Sequence, residues 1–294
     1  MDTLKNCPIC NGQDLLPFLI CKDYTVSRET FSIVRCASCG FRFTNPRPGV
    51  DELARYYLSE DYISHSNSSK GLINWLYKKV RTYTLKGKVA KINAESAIGQ
   101  ILDIGCGTGE FLNACVSAGW KGKGIEPSEM ASAQAKKNFN LSVFSEEEMD
   151  KLPSESFDVI TMWHVLEHVP NLVERVKDLQ RLLKSTGVAL IAVPNCESRD
   201  AKHYKEFWAA YDVPRHLYHF SPADIKNLFS KHGFKVQSIL PMKFDSYYVS
   251  MLSEKYKAGR PRLLRALFQG TLSNWSAGAN GHTSSSQIYL LKKE

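Results

Sequence analysis

Four of the eight cysteines stand in two tight pairs, Cys7/Cys10 and Cys36/Cys39. A C-x2-C turn delivers two sulfurs to one side. Two such turns separated by about 25 residues supply the four thiolates of a closed, tetrahedral structural zinc site. Gly40 permits the tight backbone after the second pair. A second group lies in the stretch from Ile101 to Leu112, where Gly105, Gly107 and Gly109 follow an apolar run. Glycines there let the backbone approach a ligand and take positive φ. Asp103 would repel a pyrophosphate but attract a cationic amino-acid moiety. Glu126 ends the next apolar run, placed to accept both hydroxyls of a ribose. Dinucleotide-binding folds use similar turns, so the glycines alone leave the ligand open.

A third group can move protons. His164 directly follows the run Phe157–Met162 and is the first candidate for a general base or substrate contact. Glu167 and His168 follow about one helical turn later, with Glu167 expected to face solvent. Asp212–Ser221 gathers Arg215, His216 and His219 beside Phe207, Trp208 and Tyr211. Catalytic groups favour such loops. His216 is the second catalytic candidate, with Arg215 beside it. His219 is expected to cap the helix that starts near Ser221-Pro222.

These residues need elements to hold them. Ile101–Ile104, Gly122–Ile125, Val143–Phe144, Phe157–Met162 and Val188–Val193 read as successive strands, alternating with helices such as Glu110–Ala118 and Leu172–Leu183. Phe234–Leu240 and Gln287–Leu291 read as two further strands, joined through a flexible connection at Gly278–Ser286. The fold class is α/β, a parallel sheet with helices on both faces, plus a small N-terminal zinc module. Three blocks follow: 1–45 carries the cysteines, 46–98 is a helical linker or cap, and 99–294 is the α/β domain. The middle block holds Tyr56, Tyr57 and Tyr62 and a basic helical stretch, Lys70–Lys91, with Leu72, Trp75, Leu76 and Val80 at helical spacing. Cys21, outside the pairs, is expected to pack as a small hydrophobe.

Hydrophobic residues make up 43% and charged residues 23%, the balance of a chain able to bury a sizeable core. No apolar run reaches the ~18 residues of a transmembrane helix. The start lacks a secretory pattern, so a cytoplasmic location is expected. The formal net charge of +8 suits an acidic partner without choosing among nucleic acid, membrane surface and anionic substrate.

The run Asp103-Ile-Gly-Cys-Gly-Thr-Gly109, followed by Glu126, resembles the class I S-adenosylmethionine-dependent methyltransferases. The resemblance covers about 99–240, including Phe157-Asp158-Val-Ile and Leu182-Leu-Lys-x-x-Gly187. It implies a Rossmann-like sheet, with Gly105, Gly107 and Gly109 around the methionine part of the cofactor and Glu126 on its ribose. Asp103 is implied as a partner of the methionine end. Met149, after the acidic run at 146–148, and Met162, at the fourth strand's end, are assigned to the cofactor's surroundings. No Asn/Asp-Pro-Pro-aromatic stretch follows the fourth strand, which argues against amino-nitrogen methylation. The Pro-Cys pair of cytosine C5 methylation is absent too.

The cysteine pattern matches a zinc ribbon, and the whole layout resembles bacterial enzymes that modify small molecules and surface glycans, including ubiquinone-type O-methyltransferases. The implied acceptor is a small molecule, glycan or lipid-linked compound, methylated at oxygen with a histidine base. The implied cofactors are S-adenosylmethionine and structural Zn2+. The segment Ser246–Ser276 is read as a lid, and with Lys70–Lys91 as a peripheral contact to an anionic or lipid acceptor. Two alternatives stay open: an RNA methyltransferase gripping phosphates with the ribbon and basic helix, and a catalytically silent cofactor-binding protein.

Overall fold

The computed structural model describes residues 1–57, 72–280 and 283–294. Near the amino terminus, the apolar run Leu15–Lys22 (β1) pairs antiparallel with Thr30–Cys36 (β2), which pairs with Arg42–Thr44 (β3). A single turn, Val50–Leu53 (α1), and a 3-10 turn, Ala54–Tyr57, come next. Lys70, the side chains of Leu72, Trp75 and Leu76, and Tyr62 lie outside the described residues. The helix Leu72–Glu95 (α2) leads into the α/β domain.

That domain alternates Gln100–Ile104 (β4), Glu110–Ser117 (α3), Lys121–Ile125 (β5), Glu129–Phe139 (α4) and Ser142–Phe144 (β6). Phe157–Trp163 (β7), Leu172–Leu182 (α5), Leu183–Pro194 (β8) and Arg199–Tyr204 (α6) follow. Next come the two-residue strand Tyr218–His219 (β9), Pro222–Ser230 (α7) and Phe234–Pro241 (β10). The hairpin of Asp245–Ala258 (α8) and Leu263–Asn280 (α9), then Ser286–Lys293 (β11), complete it.

Seven strands form one sheet in the order β10-β11-β8-β7-β4-β5-β6. The five from β4 to β8 run parallel, and β11 is antiparallel to both of its neighbours. Parallel strands must be covered on both faces, which is why their residues are almost continuously apolar. One face packs Ile92 of α2, Leu112 of α3 and Ala135 of α4 against Ile101, Val159 and Leu190. The other packs α5 and α7 against Ile104, Ile160, Met162 and Ile191. Leu172, Val176 and Leu179 of α5 are buried at helical spacing, each contributing roughly 1.5–3 kcal/mol.

The cysteine-bearing module at the amino terminus does not complete its sheet alone. Its sheet has four strands, β1-β2-β3-β9, so the α/β domain lends it an edge. Arg42 pairs with His219 and Phe43 with Tyr218. Phe41 and Phe43 are fully buried in the same cluster as the α/β core. The cysteine-bearing module is therefore built into the domain's surface. The supposedly flexible connection is also different: α9 runs to Asn280, and Ser284–Ser286 are buried. Ser285 donates to Asp200 at 2.6 Å, which anchors the start of β11.

Candidate active site

The ligand-facing edge of an open α/β sheet is the carboxyl end of its strands. There the chain turns from β4 into α3 through Gly105, Gly107 and Gly109, at φ 72°, 55° and 85°. The three are glycines for different reasons. A Cβ on Gly105 would lie 2.4 Å from Val165, and one on Gly109 would lie 2.6 Å from Leu141. A Cβ on Gly107 would meet nothing within 4 Å. The first and third are demanded by packing, and the second opens onto free space. Glu126, just past β5, accepts the Gly107 N–H at 2.8 Å and the Ser128 N–H at 2.9 Å. Burial raises its pKa, and those two N–H groups oppose the rise. An open glycine backbone beside an anchored carboxylate fits an adenosine-bearing ligand with a free ribose.

Asp103 lies beneath this loop, 2% exposed, accepting the Thr161 hydroxyl at 2.6 Å. Burial pushes its carboxyl up to about 7, while the hydrogen bond from Thr161 and the charge of Lys88 act downward. Lys88, from α2, sits 4.0 Å over the ring of Trp163, a contact that sequence reasoning missed. Its only signal was a basic helix. Met149 and Met162 are not brought to the open cradle. Met149 is buried under Arg175, which donates to its sulfur at 3.4 Å. Met162 is fully enclosed in the sheet, on the face opposite Asp103 and Thr161.

Past the end of β7, His164 adopts φ 58°, a left-handed conformation uncommon outside glycine. Its Nε2 is 2.9 Å from Asp245 and its Nδ1 3.3 Å from Glu167. Burial would lower its pKa, but the two carboxylates push it up to about 10. His164 is therefore a cation held between two acids. Asp245, the first residue of α8, was not foreseen. Glu167, expected to face solvent, is fully buried. The chain leaves β7 in a 3-10 turn, Leu166–His168, that rotates the carboxylate inward.

His168 and His216 meet edge to face, with ring centroids 4.6 Å apart. The Nδ1 of His168 lies 3.0 Å from the Arg215 carbonyl oxygen, with the Tyr57 hydroxyl 2.9 Å away. The Nδ1 of His216 lies 2.9 Å from the Ala210 carbonyl oxygen. Burial and the neighbouring His216 bring His168 down to about 4, so it is neutral. Arg215 is turned inward, onto Asp212 at 2.9 Å and the Tyr56 carbonyl at 3.0 Å. His219 caps nothing: it is buried in the β3–β9 seam, 3.1 Å from the Thr44 hydroxyl. The helix cap is Ser221, which accepts the Asp224 N–H while Asp224 accepts the Ser221 N–H.

Known proteins resolve the class. A family model described as a methyltransferase domain matches residues 77–239, more than half of the chain. The chain belongs to this methyltransferase family. A ubiquinone biosynthesis O-methyltransferase of Rickettsia canadensis (strain McKiel) is 26% identical over 50% of this chain and 66% of its own length. Another, of Rickettsia akari (strain Hartford), is 24% identical over 66% of this chain and 82% of its own. The fold matches a SAM-dependent methyltransferase from Archaeoglobus fulgidus at a TM-score of 0.51 and 20% identity, over 76% of this chain and all of the other. It also matches magnesium protoporphyrin IX methyltransferase from Synechocystis PCC 6803 with bound SAH, at 0.54 and 13%, over 81% and 97%. The chain has the Rossmann-like fold of these S-adenosylmethionine-dependent methyltransferases.

In this methyltransferase the four cysteines of the amino-terminal sheet converge. Cys7 and Cys39 sulfurs are 3.6 Å apart, those of Cys10 and Cys36 3.5 Å, and all four lie within 4.8 Å of one another. All are free thiols. A tetrahedron with Zn–S bonds of about 2.3 Å has edges of about 3.8 Å, so the spacing is compatible with a zinc ion. Thr44, at the end of the sheet, donates to the His216 carbonyl at 2.8 Å, and its own N–H bonds the Leu217 carbonyl at 3.0 Å. The cysteine-bearing sheet thus holds the loop that carries His216. Among the described residues, no helix is long and apolar enough to cross a membrane.

Proposed function

We propose that this methyltransferase moves a methyl group from S-adenosylmethionine to an oxygen of a small-molecule, glycan or lipid-linked acceptor. The observation that carries the reading is one juxtaposition. Val165, in the turn bearing His164, Glu167 and His168, packs against Gly105 of the glycine loop. A cofactor cradle and a cluster able to handle an acceptor's proton therefore share one wall. The sulfonium cofactor, when bound, supplies an activated methyl group. The protein's work is to align the acceptor and assist loss of its proton.

Gly105, Gly107 and Gly109 line the cradle, Glu126 accepts the ribose hydroxyls, and Asp103 supplies negative charge near the methionine end. His164 has both nitrogens on carboxylates, so it orients Glu167 and Asp245 and has no lone pair to offer. Assistance to deprotonation falls to the cluster that His216 and His168 form with Glu167. The relatives' printed names support oxygen as the acceptor atom. Cys7, Cys10, Cys36 and Cys39 hold a structural zinc ion, whose role is to rigidify the sheet that ends at Thr44.

Calorimetric titration of S-adenosylmethionine tests the reading. Micromolar binding is expected for the wild-type chain, weakened about 10–100-fold in Glu126→Ala, the worth of about one charge-assisted hydrogen bond. A folded wild-type chain that binds none would sink the proposal.

A further inference from the structure

Beside the cradle, Glu167, His168 and His216 bring one donor atom each within 4.8 Å of one another. Nothing in the cofactor's recognition requires this. Each imidazole has its Nδ1 against a backbone carbonyl, Arg215 for His168 and Ala210 for His216. A carbonyl oxygen only accepts, so the Nδ1 of His216 carries the ring proton and its Nε2 keeps its lone pair. The Nδ1–H of His168 can be shared between the Arg215 carbonyl and the Tyr57 hydroxyl oxygen 2.9 Å away, which leaves its Nε2 free as well. Metal-binding histidines are oriented in this way, their far N–H tied to a carbonyl or carboxylate. Glu167 has the matching feature. It is fully buried; Oε1 is engaged by His164, and Oε2 has no hydrogen-bond partner. An unpartnered buried carboxylate oxygen calls for a missing donor or cation.

We propose that Glu167, His168 and His216 bind one divalent cation of the Zn2+, Mn2+ or Fe2+ kind, separate from the four-cysteine site. Two imidazoles and one carboxylate select this class over Ca2+ or Mg2+, which prefer all-oxygen shells. Bonds of about 2.1 Å set neighbouring donors about 3 to 3.5 Å apart, so the three side chains need close in by at most about 1.8 Å. Three protein ligands leave positions open, unlike the closed thiolate site. The contribution from the His216 loop means that the site exists only while β9 is docked on β3. The cation's role, holding an acceptor oxygen and lowering its pKa, rests on the methyl-transfer reading. The site itself rests on the side chains alone.

The test uses the full chain with its cysteine site zinc-loaded and weakly held metal removed. Mn2+ is titrated and followed by loss of the free-ion electron paramagnetic resonance signal. Thiolates do not favour Mn2+, so the cysteine zinc stays in place. One Mn2+ per chain is expected, with binding at least tenfold weaker in Glu167→Gln and in His216→Gln. The cysteine zinc, counted by elemental analysis, should remain at one equivalent in all three. Co2+ gives a second reading on the wild-type chain: one equivalent with a nitrogen- and oxygen-ligated visible spectrum, beyond any thiolate-bound cobalt. That reading stands even if both variants misfold. A wild-type chain that takes up neither Mn2+ nor Co2+ overturns the site, as does undiminished binding in both folded variants. Cofactor titration of the same samples separates the failures. Chains that bind S-adenosylmethionine but no cation refute the cation site alone, and chains that bind neither refute the reading beneath it.

Discussion

Asp103 is where burial and charge oppose each other most directly. Its carboxyl is held up to about 7 in the folded protein, against about 3.9 in an unfolded chain. The unfolded chain releases this proton first, so the contribution to stability is complete below about pH 4 and is lost as pH rises through 7. A cationic ligand reverses the preference by favouring the carboxylate. Affinity for S-adenosylmethionine should therefore rise between pH 5.5 and 8. Asp103→Asn should flatten that profile, leaving affinity about tenfold weaker at the upper end and nearly unchanged at the lower. Calorimetry across the range decides it, and an equal slope in the variant would remove Asp103 from the cofactor's field. The glycines, Asp103 and Glu126 were legible because one contiguous stretch and the end of the next strand carry them. Lys88, Tyr57 and Asp245 were not, since each reaches the site from a distant element. Glu167 was misjudged because solvent exposure was inferred from residue type, and the 3-10 turn after β7 overrides that preference.

The elements explain why the chain carries its cysteines. Through Thr44 and the β3–β9 pairing, the amino-terminal sheet fixes the segment from His216 to His219. With zinc bound as proposed, a sheet this small would draw much of its stability from the metal. Removing zinc with a strong chelator should loosen β1 to β3 and release the 214–221 segment with them. The seven-stranded sheet has its own core and should persist. Hydrogen exchange read by mass spectrometry should then show matched loss of protection at 15–44 and 214–221, with 100–144 unchanged. Protection kept at 214–221 would mean that the α/β domain holds that loop unaided. The parallel strands were readable from their apolar runs, and the helix start at Pro222 from its capping residues. The β3–β9 seam was not readable: a two-residue strand pairing across about 175 positions has no periodicity of its own. The same limit applies to the hairpin of α8 and α9, whose helical patterns are interrupted by buried serines at 246, 250, 253 and 273.

Across the whole molecule, five of the basic residues behind the net charge of +8 stand in a segment that also carries an apolar surface. Leu264, Phe268 and Trp275 on α9 are 84%, 61% and 75% exposed, with Leu267 on the same side. They recur at helical spacing, so they form one stripe. Lys255, Lys257, Arg260, Arg262 and Arg265 flank it, and residues 255–280 contain no Asp or Glu. An apolar face with an aromatic anchor and a basic border suits a helix lying in the headgroup region of an anionic bilayer. Each immersed large side chain contributes roughly 1.5–3 kcal/mol, and each nearby basic residue about 1 kcal/mol. Such contact would bring the acceptor edge near lipid-linked compounds. We therefore expect the chain to float with phosphatidylglycerol-containing vesicles at low salt and to be released as salt rises. Phe268→Glu combined with Trp275→Glu should abolish flotation and leave S-adenosylmethionine affinity unchanged, because neither residue touches the cradle. Equal flotation by the double variant would exclude this face. A wild-type chain that ignores vesicles but sediments as a dimer, and becomes monomeric in the double variant, would show that a second copy covers the stripe instead.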